Sequence, residues 1–221
     1  MVVFVFPVGD RVVRAPRRIR QISVQKGEIS MSDTILVDKE LSNAVCSYVI
    51  NAPVEKIDIA AWLLKLSEGE YRRCCPPDHV SCGSTLTDEG KPMLVNVEMV
   101  GHALMVQRYV AEIATPTLCR LVSFSDAFTP NGRTHVQVVW TLTAKQVDEN
   151  TCEFVNRTTV HPTEEFMDFI AQHKIRFKDA AAARQHVEGE HNRRETPLFA
   201  ASIERMALGQ AHREARSIGA A

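Results

Sequence analysis

Between residues 41 and 50 apolar side chains recur with the two-residue period of a strand, and Asn51-Ala52-Pro53 ends the run because proline has no amide for a ladder. From Val54 the period lengthens. Ile57, Ala60, Ala61 and Leu64 fall at helical spacing, Trp62 and Leu63 widen the stripe, and the pattern predicts a helix to about Leu66. A second short helix is expected over residues 68–73, before Pro76-Pro77. Six alternating stretches follow, at 80–87, 93–100, 103–114, 118–128, 135–146 and 152–161. Turn signals separate them, among them Gly101-His102, which suits a two-residue hairpin with glycine first, and Pro130-Asn131-Gly132. Pro162 stops the last strand, and Thr163 caps a helix whose start is favoured by Glu164 and Glu165. Phe166, Phe169, Ile170, His173, Phe177 and Ala181 lie on one stripe of that helix, which is expected to reach 184–187 before Gly189 weakens it. Residues 197–216 predict a further helix with Phe199, Ile203, Met206 and Ala207 on one face.

Composition narrows the class without naming a function. The 221 residues suit one domain of ordinary size. With 26 basic against 27 acidic residues, the net charge of -1 offers no field for nucleic acid. Mean hydropathy is -0.13, and no apolar run approaches the ~18–20 residues of a membrane span. A chain this long needs no disulfide framework, so its six cysteines read as reduced thiols in a cytoplasmic protein, with Cys46, Cys119 and Cys152 as small core residues. At the N-terminus an apolar stretch precedes Arg11, Arg14, Arg17, Arg18 and Arg20, the reverse of a secretory signal. Lys26-Gly27-Glu28 back-translates to a purine-rich stretch shortly upstream of Met31, like a bacterial ribosome-binding site. The expectation is that Met31 is the natural start and residues 1–30 a disordered, over-extended segment. The main domain is then 31–187, with 188–221 as a helical tail whose Phe199, Ile203 and Met206 dock on the domain or on a second copy in a homodimer.

The order strand, helix pair, six strands, long helix defines an α+β protein. With Val49-Ile50-Asn51-Ala52-Pro53-Val54-Glu55 at the first strand-to-helix junction and residues 153–163 leading into the last helix, the chain resembles the START-like, Bet v 1-like superfamily that includes polyketide cyclases and dehydrases. Val95-Asn96-Val97-Glu98 and Leu104-Met105-Val106-Gln107 look like its bacterial members. The resemblance covers about residues 41–185 and implies a helix-grip fold, a seven-stranded curved antiparallel sheet wrapped on a long C-terminal helix around a cavity.

Pairing through Gly101-His102 sets Met99 opposite Leu104, Val97 opposite Val106, Val95 opposite Arg108 and Met93 opposite Val110. This nearly apolar face is expected to be the interior, leaving Asn96, Glu98, Met105, Gln107 and Tyr109 half-solvated. Arg108 then needs an acidic partner or an anionic ligand, and Asp126 matches it in charge. The last hairpin places Val138, Trp140, Leu142 and Ala144 beside Phe154, Asn156, Thr158 and Val160, so Asn156 and Thr158 become polar groups on the inner wall. With Phe166, Phe169, Ile170 and Phe177 on the covering helix, these residues form the candidate ligand site; His173 and Asp126 are the candidate acid–base groups. Two spacings suggest a metal. Cys74 or Cys75, His79 and Cys82 lack a second CxxC pair, and His186-Val187-Glu188-Gly189-Glu190-His191 has histidines five apart where a zincin helix needs four. Zinc-dependent carbon–carbon hydrolases occur in the resembled superfamily, but no His/Glu set here matches theirs by spacing, so no metal and no cofactor are assigned. The leading expectation is binding of a small hydrophobic lipid, polyketide or aromatic metabolite. The alternatives are a cyclase or dehydratase acting on such a molecule, and a protein-interaction module without ligand.

Overall fold

Five of the turn signals close antiparallel hairpins, and together they generate most of the architecture. The computed structural model describes residues 34–218, with side chains as far as residue 209; the expectations for residues 1–30 and Met31 lie outside the described residues. In chain order come β1 (Ser42–Ile50), a single 3-10 turn (Val54–Lys56), α1 (Ile59–Lys65), α2 (Glu68–Cys74), β2 (His79–Leu86), β3 (Pro92–Val100), β4 (Ala103–Ala114), β5 (Leu118–Thr129), β6 (Gly132–Asp148), β7 (Thr151–Pro162), α3 (Glu164–Gln172) and α4 (Phe177–Ile218). Three helices begin where short polar side chains accept amides: Asp58 from Ala61 at 2.8 Å, Ser67 from Glu70 at 3.3 Å and Thr163 from Phe166 at 3.0 Å.

The seven strands form one antiparallel sheet in the order β1-β7-β6-β5-β4-β3-β2. The meander β2 to β7 is therefore sequential, and β1 closes against β7. α1 and α2 bridge the two edges, and α4 lies across the inner face. No described helix is long and apolar enough to cross a membrane. The six cysteines form no disulfide. Phe199 is the centre of an aromatic group, 5.2 Å from Trp62 and 5.9 Å from Trp140 between ring centroids. Its complete burial contributes roughly 1.5–3 kcal/mol.

The covering helix differs from the sequence expectation in two ways. It is broken after Gln172, and Lys174 takes the left-handed conformation at φ 57°. Lys174 N–H donates to Ala171 O and Ile175 N–H to Ile170 O, the paired bonds of a Schellman ending. Glycine usually marks this motif, so a lysine there gave no signal. Beyond the break, α4 runs without interruption through Gly189 and Pro197. Residues 188–209, read above as a tail, are the part of the helix most deeply packed on the sheet: Glu188, His191, Asn192, Glu195, Thr196, Phe199, Ala200, Ser202, Ile203 and Ala207 are all buried. Phe199, Ile203 and Met206, expected to dock on the domain or on a second copy, pack on the domain.

The hairpin register is as expected, Met99↔Leu104, Val97↔Val106, Val95↔Arg108 and Met93↔Val110. The face assignment is inverted. Leu94, Asn96, Glu98, Val100, Met105, Gln107 and Tyr109 are the buried set, whereas Val97, Met99 and Val106 are half-exposed on the outer face and Arg108 is exposed. Alternation shows which residues share a face; which face is inside depends on what packs there. Here that partner is the polar stretch of α4. In β6 and β7 the inner wall is Val136, Val138, Trp140, Leu142 and Ala144 beside Phe154, Asn156, Thr158 and Val160.

Two predictions concern this frame. Lys174→Gly relieves the left-handed conformation and is expected to stabilise the fold by about 0.5–1 kcal/mol in urea unfolding; an unchanged midpoint would argue against the helix break. The second concerns Glu70, which ties α2 to α4 by accepting from Ser202 Oγ at 2.6 Å and pairing with Arg205, besides Arg73 on its own helix. Burial pushes its pKa up, but these donors outweigh that and bring it from 4.5 to about 2. The folded-state pKa is depressed, so the stabilisation is full above pH 4.5 and disappears as pH falls towards 2. Glu70→Gln should cost roughly 1 kcal/mol at pH 7, limited by solvent screening of the two arginines, and the gap to wild type should close through that window.

Candidate functional site

Beneath α4 the inner wall divides into a polar centre and an apolar chamber. The centre is built from four buried groups whose ligand atoms all lie within 4.8 Å of one another: His79, Glu98, His191 and Glu195. Their positions follow from the fold. His79 opens β2 and sits opposite Glu98 of β3, while His191 and Glu195 are four apart on α4 and so share a helical face.

The ring nitrogens divide the same way in both histidines. His79 Nδ1 is 2.8 Å from the Tyr71 carbonyl oxygen, which only accepts, so Nδ1 carries the proton. Its Nε2 is in hydrogen-bond contact with Glu195 Oε2 at 3.2 Å and faces Glu98 Oε2 at 3.5 Å. His191 Nδ1 is 3.1 Å from Asp78 Oδ2, and its Nε2 faces Glu195 Oε2 at 3.4 Å and Glu98 Oε2 at 3.7 Å without a hydrogen bond. The carboxylates are held from behind in turn. Tyr71 O–H donates to Glu98 Oε2 at 2.7 Å, and Asn156 Nδ2 donates to Glu195 Oε1 at 2.8 Å. Asn156 itself accepts from Trp140 Nε1 at 2.8 Å. Ligand atoms gathered within 4.8 Å, with outer partners behind them, are an arrangement that a metal-ligand shell requires. The inner space is about 10 Å3, the scale of a single water or ion.

The electrostatics agree with a site for a cation. Burial opposes the imidazolium of His191, but Glu195 and Glu98 beside it hold its pKa well above the usual value, so a metal ion would take the place of the Nε2 proton. Burial would likewise raise Glu98 and Glu195, and His191 keeps both lowered. Burial, reinforced by nearby carboxylates, pushes the hydroxyls of Tyr71 and Tyr109 far up, so both remain proton donors. Tyr109 Oη accepts from Gln107 Nε2 at 2.9 Å, which leaves its own proton for the interior. Two imidazoles and two carboxylates suit zinc, with iron(II) or manganese(II) as harder-metal alternatives.

The chamber adjoins this centre along α4. It has a volume of about 350 Å3 and is walled by Leu41, Val100, Ala127, Val136, Val160, Phe166, Phe169, Ile170, Ile175 and Val187, with His102, Pro130 and Asn131 of the hairpin tips at its rim. That volume lies within the range for drug-sized ligands.

The residues singled out from sequence fall in three groups. Phe166, Phe169 and Ile170 line the chamber; Trp140 and Thr158 line the polar centre, with Asn156 buried behind Glu195; Phe177 packs on the core. Val97, Met99, Val106 and Arg108 are on the opposite face of the sheet, and Arg108 Nη1 pairs with Asp126 Oδ2 at 3.0 Å. Asp126 also binds Arg133 and His135 and takes no part in the interior. His173 is exposed at the end of α3, its Nδ1 2.8 Å from the Phe169 carbonyl oxygen. One of the two metal spacings is replaced and the other is met in part. His186 is exposed and His191 pairs with Glu195 four residues on. His79 and Cys75 do come together, with His191 and all within 4.8 Å, whereas Cys74 and Cys82 turn their thiols to the Leu198 and Leu66 carbonyls. The centre was missed because its four residues come from three elements. The one local signal was His191-x-x-x-Glu195, and Glu98 was set aside with the face assigned to solvent.

No family model matches the sequence, and no curated protein matches it. Solved structures do. The Zhui aromatase/cyclase from Streptomyces sp. R1128 is 14% identical with a TM-score of 0.50, over 80% of this chain and 97% of that one. The di-domain aromatase/cyclase StfQ of the steffimycin biosynthetic pathway is 10% identical, also at 0.50, over 77% of this chain and 51% of that one. Norcoclaurine synthase from Thalictrum flavum is 14% identical with a TM-score of 0.44, over 88% and 99%. The chain therefore has the helix-grip fold of the Bet v 1-like, polyketide cyclase-type proteins.

Proposed function

We propose that this protein is a metal-dependent enzyme acting on a small, largely apolar, oxygen-bearing molecule, with one divalent cation held by His79, Glu98, His191 and Glu195. The convergence of four buried ligand atoms within 4.8 Å carries this reading. A fold that served only to enclose a hydrophobic molecule would gain nothing from two carboxylates at its centre, where each buried charge is costly. When bound, such an ion polarises a carbonyl oxygen and lowers the pKa of a coordinated water. The chain's own residues do the rest. Tyr71 and Asn156 fix the carboxylates, Asp78 and the Tyr71 carbonyl fix the two imidazoles, and Tyr109 offers a proton to a substrate oxygen. The chamber holds the apolar body of the molecule and excludes water from it.

Hydrolysis next to a carbonyl is the reaction we adopt, since the superfamily the sequence resembles includes zinc-dependent carbon–carbon hydrolases. The aromatase/cyclase neighbours support cyclisation or dehydration of a polyketide-like substrate as the second reading. Binding without turnover, the leading expectation from sequence, rests on the chamber alone.

Metal stoichiometry tests the proposal directly. Purified protein loaded with Zn2+ and dialysed should retain about one ion per chain by plasma mass spectrometry. His79→Ala or Glu195→Ala should abolish retention, and Asn156→Leu should weaken affinity about 10–100-fold through loss of outer support. Failure of the wild-type chain to retain Zn2+, Mn2+ or Fe2+ would remove the metal-dependent reading and leave cyclisation and binding.

A further inference from the structure

Eight buried side-chain polar atoms have no hydrogen-bond partner among the described residues, and six of them belong to α4, β3 and β4: Asn96 Oδ1, Gln107 Oε1, Arg184 Nε and Nη2, Glu188 Oε2 and His191 Nε2. His191 is accounted for by the metal centre. The other five atoms are not. Buried polar groups in folded proteins are almost always paired, so a concentration of unpaired ones calls for a partner that the chain does not itself supply.

Arg184 and Glu188 are the charged members of this set. They stand one turn apart on α4, with side chains only 14% and 5% exposed. Nη2 and Oε2 pair by charge at 2.7 Å, in an approach that does not meet hydrogen-bond geometry. Arg184 Nη1 meets only the Met105 sulfur, at 3.7 Å, a weak acceptor. Beyond that ion pair, Nε and Nη1 of this planar fork have no oxygen acceptor among the described residues. Its location is informative. Arg184 lines the apolar chamber, whereas Glu188 lines the polar centre. The pair marks the partition between the two, where a molecule whose body fills the chamber brings its end to the ion. Asn96 and Gln107 are cross-strand neighbours on the wall of the same centre, and their free carbonyl oxygens extend the row of acceptors.

We propose that Arg184 and Glu188 are a specificity-determining clamp for a vicinal pair of oxygens on the substrate, a carboxylate or carbonyl gripped by the guanidinium and a neighbouring hydroxyl donated to Glu188. The substrate class is then a compact apolar body, aromatic or polyketide-like, ending in a hydroxy acid or hydroxy ketone. This rests on the proposed function for its consequence, delivery of that end to the ion, but the clamp and the ion are measured separately. The clamp acts by positioning, so its readout is binding selectivity.

Three fluorescent probes separate the contributions: 3-hydroxy-2-naphthoate carries both oxygens, 2-naphthoate only the acid, and 2-naphthol only the hydroxyl. Titrated into zinc-loaded full-length protein, the hydroxy acid should bind at least tenfold more tightly than either of the others. Arg184→Met should erase its advantage over 2-naphthol, and Glu188→Leu its advantage over 2-naphthoate, with circular dichroism confirming the fold. Equal affinities of the three probes for the wild type would overturn the clamp even if neither variant folds. So would ratios that stay unchanged in both folded variants. Zinc content is measured in every sample. Selectivity in a protein that retains no metal would keep the clamp and remove the metal-dependent reading; retained zinc without selectivity would do the reverse.

Discussion

Two carboxylates and two imidazoles facing one another in the interior are the constraint around which the rest of this structure is arranged. Burying a charge costs several kcal/mol unless it is paired and hydrogen-bonded, and Glu98 and Glu195 are both nearly inaccessible to solvent. Their compensation comes from every neighbouring element. α2 supplies the Tyr71 hydroxyl and carbonyl, β2 supplies His79, β7 supplies Asn156, and α4 supplies His191. The docking of α4 on the sheet is therefore set by polar geometry as well as by apolar area. A slide of the helix by one residue would separate His191 and Glu195 from His79 and Glu98.

This explains why a long helix survives two residues that ordinarily weaken one. Glycine and proline both lower helix stability, and α4 contains Gly189 and Pro197 on either side of the His191–Glu195 pair. Tertiary contacts outweigh the intrinsic preference: Phe199, Ala200, Ile203 and Ala207 pack into the core just beyond the proline, and Ser202 links Trp62 to Glu70. The same helix is apolar where it covers the α1 region and polar over the centre. Towards its start, Val187 and Arg184 face the chamber. One element thus carries scaffold, ligand shell and substrate wall in successive turns.

The outer surface of the sheet carries its own ionic group, in which Asp126 joins Arg108, Arg133 and His135, and His135 reaches Glu165 of α3 at 2.6 Å. It anchors α3, and with it the Phe166–Ile170 side of the chamber. Arg108 and Asp126 were paired correctly by charge from the sequence and placed on the wrong side of the sheet. The pairing required only complementary charge, whereas the side depended on α4.

The sequence by itself determined the strand order, the registers of the β3–β4 and β6–β7 hairpins, the cap at Thr163, and the inner set on β6 and β7. Each of these is encoded locally, in a period of two or 3.6, a turn residue or a short polar side chain before an apolar run. Only the tertiary structure decided which face of β3 and β4 is inside, that His191 pairs with Glu195 and not His186, and that α3 ends at a left-handed lysine. The first two depend on groups brought together from distant parts of the chain. In the first of them the interior also breaks the usual rule: valines and methionines face outward so that Asn96, Glu98, Gln107 and Tyr109 can meet the polar face of α4. Periodicity records which residues lie together, and the sign of the face is set by what lies across from them.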